Sequence, residues 1–289
     1  MLPIALCMGF FFYSFLTQFA VIIPYLISVM LFITYCKISI GEIRFNRLHF
    51  RLLAIQIAGS SLIFAALSWL DVVVAQGAMI CVLAPTAISA AVITGMLGGD
   101  VASLTAYSFL SNLSVAIVAP VLFSVVGAHN SFSFTDSFFY IIKGIFPLLF
   151  LPFLLAQLTE RVLPRLHSQV KKRQSVSFYL WAVSLTIVVA KTISFIRAQP
   201  DSAYHTDLWL ALSSLVICLG QFWLGRRIGA RYGSTITGGQ SLGQKNTVLS
   251  IWMAQTYLDP ISSVAPGTYV LWQNTVNSVQ LWLKNRKVK

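Results

Sequence analysis

The apolar runs of this chain, read against its turn and charge signals, predict ten helices. They cover about residues 2–15, 18–36, 50–70, 73–97, 101–127, 137–159, 177–197, 207–225, 235–257 and 262–283. A membrane-crossing helix takes roughly 20 apolar residues, so a chain of 289 residues holds about ten once loops are allowed for. Composition agrees: 57% of residues are hydrophobic and only 10% charged, with a mean hydropathy of +0.79. Soluble domains carry about a quarter charged residues. The longest charged connection, roughly 160–175, shows no apolar pattern of its own, and no stretch is left for a soluble catalytic domain. The expected fold is therefore a single all-α polytopic membrane domain spanning 1–289.

Net charge changes the picture through its placement rather than its size. The formal charge of +12 would point to nucleic acid in a soluble protein. Here sixteen of the twenty basic residues fall in four places: after the second span (Lys37, Arg44, Arg47, Arg51), after the sixth (Arg161, Arg165, Lys171, Lys172, Arg173), after the eighth (Arg226, Arg227, Arg231) and at the end (Lys284, Arg286, Lys287, Lys289). The opposite loops hold Asp71, His129, Asp136, Asp201, His205, Asp207 and Asp259, with Arg197 as their only basic residue. The positive-inside rule then places both termini in the cytoplasm and makes the number of spans even. The expected location is the plasma (inner) membrane, with lipid headgroups rather than nucleic acid facing the basic loops.

Candidate chemistry is sparse. Cys7, Cys36, Cys81 and Cys218 lie in or at the ends of spans without CxxC spacing and read as packing residues. The four histidines are scattered, and no zinc, P-loop, dinucleotide or triad motif is present, so neither a cofactor nor a resident metal is expected. What remains are polar groups inside spans. Lys143 and Lys191 lie close enough to span ends to snorkel. Lys245 is the eleventh residue of its window, near the membrane midplane, where a charge costs about 2.5–3.5 kcal/mol and is retained for use.

The neighbourhood of Lys245, GSTITGGQSLGQKNTVLSIW, is rich in glycine and amides, including Gly243, and reads as a broken helix. The fourth span carries a matching interruption at Pro85 in CVLAPTAISAAVITG, where Thr86 and Ser89 can bond the freed carbonyls. Interrupted spans in corresponding places of two five-span halves, 1–130 and 131–289, point to an inverted-repeat transporter whose broken centres form the binding site.

The order of CVLAPTAISAAV in the fourth span, the polar VASLTAYSFLSNLSVAIVAPVLF in the fifth and GQKNTVLS in the ninth resembles the bile acid:sodium symporter family. That resemblance implies a ten-helix fold of panel and core domains, fourth and ninth spans crossing at unwound centres, and sodium-coupled uptake of organic anions. Carried over residue by residue, it puts the family's Ser and Asn ligands of the fourth span on Ala90 and Ala91. In the fifth span one hydroxyl position becomes Leu104, while the next keeps Ser108. In the ninth span the Glu and Gln ligands fall on Ser241 and Lys245, followed by Asn246 and Thr247, and Gln56 matches the Gln of the third span. A one-residue shift would instead put Gln244 on the family's Gln.

A site that trades a carboxylate for an ammonium is a poor sodium site. The expected function is secondary transport of small organic anions by alternating access, sodium-independent or proton-coupled, with sodium and proton as the candidate coupling ions. The expected binding residues are Gln56, Thr86, Ser89, Ser108, Asn112, Ser241, Gln244, Lys245, Asn246 and Thr247, with Gln273, Asn274 and Asn277 of the tenth span either lining the cavity or tying helices together. Two rival readings are a non-transporting scaffold that keeps a transporter fold, and an intramembrane hydrolase built on Ser241 and Lys245, which are four residues apart.

Overall fold

A computed structural model describes residues 2–38, 43–87, 89–127, 133–198 and 204–288. Of the charge pattern, His129, Asp201, Lys289 and the side chain of Lys287 lie outside the described residues. The described chain is helical: α1 Leu2–Phe11, α2 Tyr13–Leu16, α3 Ile23–Tyr35, α4 Arg47–Leu67, α5 Val72–Leu83, α6 Ala90–Leu97, α7 Val101–Val126, α8 Phe134–Val162, α9 Pro164–Lys172, α10 Gln174–Ala198, α11 Tyr204–Ala230, α12 Thr235–Gly243, α13 Thr247–Tyr257 and α14 Val264–Val288. Short 3-10 turns cover Thr17–Ile22 and Pro260–Ser263.

Among the described residues, six segments are long and apolar enough to cross a bilayer: Tyr13–Tyr35, Arg47–Leu67, Val101–Val126, Phe134–Val162, Ser175–Ala198 and His205–Ala230. Large apolar side chains stay exposed along them. Tyr25 is 71% and Val216 70% exposed, as a lipid-facing surface requires and a water-facing one does not. This is an integral membrane protein.

Two expectations need correction. The first span, expected at 2–15, is a 10-residue helix and a single further turn, α1 and α2, with a break at Phe12. It is held by α10: Gly9 leaves room for the Thr186 carbonyl and Val189, and the Arg197 guanidinium lies 5.8 Å from the Phe10 ring and 4.9 Å from the Tyr13 ring. The one basic residue of the acidic side is thus a clamp on the first helix. The second correction concerns the charged connection at 160–175, which contains a helix, α9. Proline at its first position starts it, and it turns His167 inward while Val170 packs on the main apolar cluster.

Acidic residues serve mainly to begin helices. Asp71 accepts from the amides of Val73 and Val74 at the start of α5, Asp100 from Ser103 at α7, and Asp259 from Ile261 at the 3-10 turn. The tightest helix contact joins α11 to α12. Gly225 and Gly238 face each other so closely that a Cβ on either would meet the carbonyl of the other. Gly238→Ala is expected to destabilise the protein by about 1–3 kcal/mol through overpacking. Gly220→Ala on the same α11, where the added carbon meets only open space, should leave the melting temperature unchanged in the same thermal-shift series.

Candidate functional site

Both expected interruptions are present, and they meet. Ala84 leaves the helical region after α5 (φ −44°, ψ 136°), because Pro85 has no amide hydrogen and its ring clashes with the preceding turn. After α12 the chain is extended at Gln244 (φ −101°, ψ 107°) and resumes as α13 at Thr247. Gly243 is the last helical residue, so the break itself is Gln244, Lys245 and Asn246. The two extended pieces pair antiparallel at Thr86 and Lys245. The Ala87 amide donates to the Gln244 carbonyl (2.9 Å) and the Asn246 amide to the Pro85 carbonyl (2.8 Å).

A helix that stops inside a bilayer leaves its last four carbonyls without intrahelical partners, and lipid offers none. In α5 those carbonyls are Cys81, Val82, Leu83 and Ala84, and each receives a side-chain donor from elsewhere. Gln221 Nε2 donates to Cys81 (3.2 Å), Lys245 Nζ to Val82 (2.7 Å), and Gln56 Nε2 to Leu83 (2.6 Å) and Ala84 (3.0 Å). Gln56 is itself oriented by Tyr107 Oη and Ser111 Oγ, which donate to its Oε1 at 2.7 and 2.9 Å. On the α12 side, Thr86 Oγ1 donates to the Ser241 carbonyl (2.9 Å) and Tyr269 Oη to the Gly243 carbonyl (2.8 Å). Gln273 clamps the main chain of Lys245, accepting from its amide (2.8 Å) and donating to its carbonyl (3.3 Å).

Lys245 is 1% exposed. Its amine sits at the carboxyl end of α5, where the helix dipole is negative. Among the described residues the Ser241 hydroxyl has no hydrogen-bond partner, and the Lys245 amine donates to the Val82 carbonyl instead, so the two are not joined as a nucleophile and base. Their four-residue spacing implies one helix face only where the helix continues, and it ends between them.

A cavity of about 470 Å³ lies against one side of this crossing, walled by α3, α6, α7 and α10. Ser89, Ser108, Gln244, Lys245, Asn246 and Thr247 line it; Gln56, Thr86, Asn112 and Ser241 do not. Gln56 and Thr86 hold the crossing together from within, and Asn112 donates to the Ser108 carbonyl of its own helix (2.7 Å). Two helices begin at the cavity: α6 after Ser89 and α13 after Asn246. The Asn246 side chain accepts from the Leu249 amide (3.3 Å), and Gln244 Nε2 donates to Ser89 Oγ (2.9 Å). Thr247 Oγ1 and Gln244 Oε1 are buried without partners.

Gln273 and Asn274 line the cavity, and Gln273 ties helices as well. Asn277 only ties, accepting from Gln240 Nε2 (3.0 Å). Sequence reasoning did not single out Gln221, Tyr107, Ser111 or Tyr269. A lone amide amid the apolar residues of the eighth span, and the Tyr107–Ser111 spacing of one helical turn, were the available signals. Among curated proteins none matches the chain. A family match covers residues 11–271, taking in both broken helices, all the groups that close the α5 end and the cavity lining except Gln273 and Asn274. The chain belongs to the SBF-like CPA transporter family.

Proposed function

We propose that this protein moves small organic anions across the membrane by alternating access, through ten crossings arranged as two inverted five-span halves, 1–130 and 131–289. Each half contributes one broken helix, α5 with α6 and α12 with α13. The observation that carries the reading is the cavity that ends on the start of two half-helices. Amide hydrogens in the first turn of a helix have no intrahelical acceptors and bear the positive end of its dipole, which favours a carboxylate or sulfonate. Among the described residues the cavity lining holds Lys37 and Lys245 and no acidic side chain, a balance that favours an anion. Lys37, Ser177 and Phe178 place its mouth with the basic loops, which is the cytoplasmic side if positive charge stays inside. In this reading the cavity is open to the cytoplasm and both termini lie there.

Coupling follows from Lys245. The position that the resemblance assigns to a sodium ligand holds an ammonium already bonded to the Val82 carbonyl. A second cation there meets repulsion instead of oxygen ligands. Transport is therefore sodium-independent, driven by protons or by the substrate gradient. Proteoliposomes offered a panel of labelled organic anions under a sodium gradient, a proton gradient or neither should take up substrate equally well without sodium. Uptake that needs sodium would overturn the coupling, and no uptake under any gradient would overturn the transporter reading in favour of a scaffold.

A further inference from the structure

Lys37 counts in the charge pattern as one of the residues that orient the chain, yet it lies in the wall of the cavity. It follows the last residues of α3, whose Met30 and Thr34 line the same wall. Thr34 lies about 6 Å of helical rise beyond Met30 on the same wall, and Lys37 lies in the turn that follows Tyr35, the last residue of α3. At the crossing the lining is polar and buried, with Gln244, Asn246 and Thr247; elsewhere it is largely apolar, with Met30, Ile93 and Trp181 beside Thr34, Thr105 and Ser177. The two lysines of the lining differ in their state. The Lys245 amine is buried and committed to the Val82 carbonyl, whereas Lys37 is exposed and sits at the mouth.

We infer that Lys37 selects substrates with two anionic groups at opposite ends of an apolar body, one held by the helix starts at the crossing and the other by the Lys37 ammonium at the mouth. This rests on the anion-transport reading and narrows its substrate class. A monoanion held at the crossing leaves the Lys37 charge facing water, so it gains nothing from that residue. A dianion of matching length gains a charge-assisted contact in a partly dehydrated space, where such contacts are stronger than in open water. The apolar body of such a substrate suits the largely apolar lining away from the crossing.

The test uses the full chain in nanodiscs, with linear α,ω-dicarboxylates of graded length and their half methyl esters, which have the same body and one charge fewer. Binding is read by calorimetry and by thermal shift. For the wild type, one dicarboxylate length is expected to bind about tenfold more tightly than its half ester, a difference of about 1.4 kcal/mol. In Lys37→Gln the dicarboxylate should fall to the level of the half ester while the half ester is unchanged, and Lys37→Arg should retain the preference. Lys172→Gln, which removes an exposed charge outside the cavity lining, should change neither ligand. Equal binding of diacid and half ester by the wild type, or an equal loss of both in Lys37→Gln, would overturn the inference and leave the transporter reading standing. Absence of binding by every anion of either series would sink both.

Discussion

Replacing Lys245 by alanine is expected to lower substrate uptake at least about 100-fold, equivalent to about 2.8 kcal/mol, and to lower the melting temperature as well. The substitution removes the donor that the Val82 carbonyl has among the described residues, and a buried carbonyl without a partner costs about 1–3 kcal/mol. It also empties the volume of the lysine stem, one of the largest fully buried side chains in the protein, which adds a cavity term. Lys245→Met separates these contributions, because it keeps most of the volume and removes the charge and the donor. Its melting temperature should recover part of the alanine loss, since the volume of the lysine stem stays filled. Its uptake should stay at the alanine level. Full uptake by Lys245→Met would show that the residue merely fills space, and the account of the ammonium at the end of α5 would fall with it.

Gln56→Leu should be the most destabilising single substitution in the crossing. One amide makes four hydrogen bonds there, donating to the Leu83 and Ala84 carbonyls and accepting from Tyr107 and Ser111. Leucine fits the space but leaves four buried polar groups unmatched in a low-dielectric interior, for a cost of about 3 kcal/mol or more. Removing one outer member of the network, as in Tyr107→Phe or Ser111→Ala, should cost only about 1 kcal/mol each. Denaturation in detergent, followed by the folded fraction on size exclusion, measures the series. If Gln56→Leu is no worse than Ser111→Ala, the network does not hold α5 in its broken form.

The breaks themselves were legible because their causes are local. Proline at position 85 ends a helix wherever it stands, and the run of glycines and amides before Lys245 cannot sustain a lipid-facing helix. The partners of the freed carbonyls were not legible. Gln221 and Lys245 reach the end of α5 from 140 and 163 residues away, and nothing local fixes which of several intramembrane amides does so. Lys245 was legible as an intramembrane basic residue, but that its amine reaches the Val82 carbonyl at the end of α5 was not.

The amphipathic α9 was missed for a related reason. Its apolar contact comes from Val170 and an inward His167, too few residues in a charged stretch to make a period. The first span was overestimated because hydrophobicity alone does not show that α1 ends at Phe11 and leans on α10, while α2 opens the next segment, Tyr13–Tyr35.

The sequence by itself determined that this is a polytopic helical membrane protein and where two of its helices break, because the cost of dehydrating backbone and charge acts on each segment separately. Only the tertiary structure decided that the two breaks pair at Thr86 and Lys245, that Gln56, Gln221 and Lys245 close the end of α5, and that a cavity opens beside them. Those outcomes depend on hydrogen bonds between residues distant in the chain, and no local free energy selects among them.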